Sequence, residues 1–124
     1  MPRAPRPPTR NNAFLTRNAR FDADAFRYEW HIGHGDMCKA VPYLRGFVPC
    51  DVIAVLPQGE VPELQTDPIE GVAQAYFDKL EDEMAMIQTP EAKAWFAHGA
   101  ITFGLIKAFG ARETVAVMPP EATA

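Results

Sequence analysis

The chain has 124 residues, 48% hydrophobic and 23% charged, with a formal charge of −4. That size and balance suit one ordinary globular domain, and the acidic surplus argues against nucleic acid or an anionic membrane surface as partner. No apolar run is long enough to cross a bilayer, and no apolar stretch follows the N-terminal arginines as a signal peptide requires.

Residues 1–11 alternate Pro2, Pro5, Pro7 and Pro8 with Arg3, Arg6 and Arg10. Such a segment builds no core and is expected to be a disordered basic tail, either loose or resting on a partner. The domain proper is expected over 12–120. Its first strand reads as Ala13–Asn18. Asp22 has the chemistry of an N-cap, with Asp24 in the first turn, where the helix dipole favours negative charge. The helix from about Ala23 carries Phe26, Trp30 and His34 at i, i+4 and i+8, which is one stripe. Gly33 and Gly35 predict fraying or a kink, and Pro42 ends the helix.

Phe47–Leu56, rich in Val and Ile, reads as the second strand. The acidic stretch Pro57–Pro68 holds Gly59 and Pro62 as well and reads as an exposed loop. Gly71–Asp78 is the third strand. Leu80–Gln88 is a helix, and its run Glu81, Asp82, Glu83 reads as a solvated face. Thr89-Pro90 starts a further helix, with Thr as N-cap and Pro at N1, continuing through EAKAWFAHGAITFG. Glu113–Met118 is the final strand, closed by Pro119-Pro120.

The order is βαββαβ. An α+β, ferredoxin-like antiparallel sheet of four strands with both helices on one face satisfies it. A parallel sheet requires more crossovers than the chain supplies. On the third strand Val72 and Tyr76 point one way while Ala73, Ala75 and Phe77 point the other. The second strand is apolar on both faces. A sheet covered by helices on one side should be polar on the other, so this one asks for a cover. A homodimer packed through the sheet face is the simplest.

The run AFRYEWHIGHGDMCKAVPYLRGFV resembles the first half of the EthD-like family, in the dimeric α/β-barrel group. That family shows F-x-x-x-W-x-x-x-H on a helix and then a Pro–Leu segment. Here these are Phe26, Trp30 and His34, then Pro42, Leu44 and Phe47. GVAQAYFDKLEDEM and TPEAKAWFAHG resemble the second half. KAWFAHGAITFG is also similar to part of the methylmuconolactone methylisomerases. Ala75 stands where those isomerases carry a cysteine, and Phe47 where many relatives have tyrosine. The resemblance implies a small, flat, often aromatic substrate held between sheet and helices.

His34 shares its stripe with Phe26 and Trp30, so it should face the sheet. There it can act as a general acid or base near neutral pH, and it matches the family's helix histidine. A structural histidine bonded to the nearby chain end is the alternative. His98 lies in line with Trp95 and Thr102 on one helical face and is a second acid/base or a substrate ligand. Trp30, Phe47, Tyr76 and Trp95 are candidate walls of an aromatic site, or core. Asp51 shares a face with Phe47 and enters the pocket unless it lies at the surface.

His31, His34 and Asp36 have no convincing metal geometry across the two glycines, so no metal is expected. Gly33-His34-Gly35 follows no strand and lacks a P-loop lysine, so no nucleotide cofactor is expected either. Cys38 and Cys50 are too few for a disulfide framework and match no zinc pattern. Both read as free thiols in a reducing, cytoplasmic setting.

The function these residues favour is a cofactor-independent enzyme of aromatic or polyketide-like metabolism. It would isomerise, cyclise or dehydrate a lactone or phenol by proton transfer. The rivals are a non-catalytic accessory or small-molecule-binding protein of an oxygenase system, and a cofactor-free monooxygenase.

Overall fold

The structure, a computed structural model, describes residues 9–120. Its elements run β1 (Thr9–Arg17), α1 (Ala23–Tyr28), a π-helical segment (Glu29–His34), α2 (Gly35–Cys38), β2 (Gly46–Asp51), β3 (Gly71–Phe77), α3 (Leu80–Met86), α4 (Pro90–Thr102) and β4 (Phe103–Arg112). The strands form one sheet in the order β2-β3-β1-β4, and every neighbouring pair is antiparallel. This is the expected βαββαβ sheet, with the helices against one face.

The helix caps follow the sequence. Asp22 Oδ1 accepts from the Ala25 N–H at 2.8 Å. Thr89 Oγ1 accepts from the Ala92 N–H at 3.2 Å, with Pro90 in the first turn. Alternation along β3 is complete: Gly71, Ala73, Ala75 and Phe77 are buried against the helices, and the residues between them are not. The register carries this face across the sheet, because Ala73 pairs with Ala13 and Ala13 with Ala108.

Four expectations change. The sheet begins earlier, because Thr9–Asn11, placed in the tail, pair with both β3 and β4. The rest of the expected tail, 1–8, lies outside the described residues. β2 stops at Asp51, opposite the start of β3, so Ile53, Val55 and Leu56 have no partner strand and stand exposed. The last strand is Phe103–Arg112 rather than Glu113–Met118. Helix α4 ends because Phe103 turns to extended backbone (φ −100°, ψ 149°). The apolar run ITFGLIKAFG fits either period locally, and pairing along β1 decides it. Finally, Gly33 and Gly35 do not break the first helix, which widens into a π turn and runs on to Cys38.

Two clusters make the core. One joins Leu15, Phe26, Trp30 and Phe103, and the other joins Val41, Phe77, Met86 and Trp95. Trp30 is fully buried and lies 5.5 Å from Phe26, ring to ring. It fits because position 71 has no side chain, since a Cβ there would sit 2.3 Å from Trp30 Cη2. Gly71→Ala is therefore expected to force the indole or the strand aside and cost about 1–3 kcal/mol. A urea unfolding curve showing unchanged stability would refute this.

The opposite face is mixed. Phe14 meets Phe109 edge-on at 5.5 Å, and Val48, Leu105 and Phe109 are all more than 40% exposed. Arg10 Nη1 donates to Tyr76 Oη at 3.1 Å between them. No helix among the described residues is long and apolar enough to cross a membrane.

Candidate active site

A cavity of about 640 Å³ lies between the sheet and helices α3 and α4. Its floor exists because the helix-facing sheet positions Ala13, Ala73, Ala75 and Ala108 carry only short side chains. Phe47, Trp95 and Phe103 wall one end, beside His34. The cavity extends along β4, where Ile106 is half exposed.

His34 is buried, 5% exposed, and its ring is packed on three sides. Trp95 stacks on it at 4.8 Å, and Phe47 and Phe103 present edges at 6.0 and 5.3 Å. The indole of Trp95 also donates to the His34 carbonyl at 3.0 Å, which fixes the backbone. Burial, then the neighbouring His98, lowers the His34 pKa to about 3. The imidazole is therefore neutral at physiological pH.

His98 does not line the cavity but backs His34, with Nδ1 3.0 Å from His34 Nδ1. Its Nε2 lies 3.2 Å from Glu29 Oε2. Acceptor chemistry assigns the protons. With both rings neutral, the Glu29 carboxylate accepts from His98 Nε2–H, which leaves His98 Nδ1 an acceptor for His34 Nδ1–H. His34 Nε2 is then an unprotonated lone pair, with no hydrogen bond among the described residues, on a residue that lines the cavity.

The π turn builds this array. Glu29 and His34 are five apart, about 140° around an α-helix. A turn closed from i to i+5 brings such a pair toward one face, where His98 meets both. Gly33 permits the approach, because a Cβ there would stand 3.1 Å from Glu29 Oε2 and 3.5 Å from the His98 ring. Sequence spacing at α-helical period gave no sign of Glu29. The two glycines next to His34 were the available signal.

The other candidates fall elsewhere. Trp30 is core and does not line the cavity. Tyr76 stands on the opposite sheet face beside Arg10, because it alternates with Ala75 and Phe77. Asp51 is on the helix side but one strand length away, at 3.2 Å from His31 Nε2. Phe47 and Trp95 do line the cavity. Cys38 donates to the Gly35 carbonyl, and burial pushes its thiol pKa up, which disfavours the thiolate. Among the described residues no three His, Cys, Asp or Glu side chains converge as a metal site. Glu83, read as solvated, is buried and lines the cavity.

No family profile and no curated protein sequence matches this chain significantly. Solved structures do. An EthD family protein from Bacillus halodurans aligns with a TM-score of 0.69 at 20% identity, over 86% of this chain and 98% of that one. The fold is ferredoxin-like. A dimeric ferredoxin-like protein of unknown function from Thermobifida fusca aligns at 0.59 and 17% identity, over 85% and 90% of the two chains. A putative antibiotic biosynthesis monooxygenase from Nitrosomonas europaea aligns at 0.54 and 13%, over 85% and 97%. At these identities the likeness carries the ferredoxin-like architecture, and the chemistry has to come from the site.

Proposed function

We propose that this ferredoxin-like chain is an EthD-like enzyme of aromatic or polyketide-like metabolism, working without a cofactor. It transfers a proton within a lactone or phenolic substrate, in an isomerisation, cyclisation or dehydration. The observation that carries the reading is the Glu29–His98–His34 chain of hydrogen bonds behind an apolar cavity.

His34 is the catalytic base in this reading. Its low basicity would ordinarily make proton uptake unfavourable in a dry site. The chain behind it offsets that. As His34 Nε2 takes a proton from the substrate, His34 Nδ1–H can pass to His98 Nδ1 and His98 Nε2–H to Glu29. The proton gained then neutralises a carboxylate instead of leaving a buried imidazolium. His98 and Glu29 touch no substrate and are positioning residues. Phe47 and Trp95 hold a flat ring against the alanine floor.

The test is turnover, or exchange of carbon-bound hydrogen in D₂O, over a panel of lactones and phenols. A His34→Asn variant that matches the wild type on every accepted compound would refute the assignment. The low basicity of His34 also favours a rival, a binding protein without turnover. Tight binding across the panel with no turnover or exchange would establish that rival.

The chain is further proposed to act as a homodimer through the outer sheet face, in the cytoplasm, where Cys38 and Cys50 stay reduced. Exposed Phe109 and Val48 support the interface. Phe109→Glu is expected to sediment as a monomer where the wild type sediments as a dimer. A monomeric wild type would refute this interface.

A further inference from the structure

The cavity has a second polar end that the histidine chain does not use. Glu83 sits on α3 one turn before Met86, and the residue is 8% exposed. Its Oε1 accepts from Asn11 Nδ2 at 2.7 Å. Its Oε2 is buried and has no hydrogen-bond partner among the described residues. Both Glu83 and Asn11 line the cavity. Glu83 lies by Gly110 of β4, where an added Cβ would stand 3.5 Å from Oε2, whereas His34 lies by Phe103 at the other end of the strand. The two polar groups therefore mark opposite ends of an otherwise largely apolar space.

A buried carboxylate oxygen without a donor costs free energy, and replacing water by a dry wall makes the cost larger. Asn11 fixes the carboxylate through one oxygen and leaves the other without a donor, on a side chain that lines the space. As a carboxylate, Oε2 only accepts, so the missing partner must donate. A phenolic O–H fits best, because it brings a flat apolar ring for the alanine floor and forms a short charge-assisted bond.

We infer that Glu83, held by Asn11, is a specificity-determining residue that selects ligands carrying a ring hydroxyl at the end of the cavity remote from His34. The inference rests on the cavity being the substrate site and adds to that reading the substrate class, a hydroxylated fused-ring or aryl compound. It does not depend on which proton His34 moves.

The test uses two probes of one ring system, 2-naphthol and 2-methoxynaphthalene, titrated calorimetrically or by quenching of tryptophan fluorescence. Wild-type protein is expected to bind the naphthol about tenfold more tightly. Glu83→Gln keeps the shape and an oxygen for Asn11, but turns an amide N–H toward the cavity. It is expected to bring the ratio to about one or invert it, while a thermal melt reports the fold. Equal binding of both probes to the wild type, or a ratio unaltered by Glu83→Gln, would overturn the inference and leave the cavity reading standing. Binding of neither probe would overturn both.

Discussion

Turnover is expected to fall roughly 10²–10⁴-fold in His34→Asn, the range lost with a positioned general base. The loss should appear in kcat more than in KM, because Phe47 and Trp95 still hold the ring. The two residues behind it separate orientation from proton acceptance. Glu29→Gln keeps an oxygen to accept from His98 Nε2, so the tautomers survive, but an amide cannot take the proton. His98→Asn removes the link itself. Both are expected to cost about 10–100-fold in kcat, comparable to losing an outer orienting partner at other sites. Nitrogen NMR of the resting protein provides a check that needs no substrate, with His34 protonated on Nδ1 and bare on Nε2. If both variants kept full kcat, or if His34 carried its proton on Nε2, the proton path would be wrong.

Acid should destabilise this protein through one identifiable ring. In the unfolded chain His34 titrates near 6.5, and in the fold burial and His98 hold it at about 3. The unfolded state therefore binds the proton first. The contribution of neutral His34 is complete above pH 6.5, declines as pH falls below that value, and stops declining below about 3. Each pH unit in the window is worth about 1.4 kcal/mol, so moving from pH 7 to 4.5 costs roughly 2–3 kcal/mol from this group. His34→Phe has no such proton to gain. Its stability is expected to fall less than that of the wild type by that amount over the same interval. Carboxylates titrate in both proteins and cancel in the difference. Parallel urea midpoints for the two proteins across pH 7 to 4.5 would show that His34 is not held neutral.

Much of the chain was readable in order. Asp22 and Thr89 cap their helices because a short oxygen side chain ahead of a helical run has one good use. The stripe Phe26, Trp30, His34 is buried as its spacing requires. What failed, failed where local pattern is ambiguous. The run after Thr102 suits helix or strand, and β1 chose strand by supplying a row of unpaired backbone groups. Thr9–Asn11 look like tail but gain partners on both sides. Tyr76 and Trp30 look like pocket aromatics, yet one faces the outer side of the sheet and the other fills the core.

The sequence by itself determined the βαββαβ order, the alternation of β3 residues between two faces, and the burial of His34. Those follow from periods and caps, which act over a few residues. Only the tertiary structure decided what His34 touches. A π turn, absent from any α-helical spacing, lines Glu29 up with His34, and α4 brings His98 to them from 69 and 64 residues away. It also turned Glu83 from a presumed solvated face into the cavity wall. Charge and apolarity can be read one residue at a time, but which donor meets which acceptor depends on packing between elements distant in the chain.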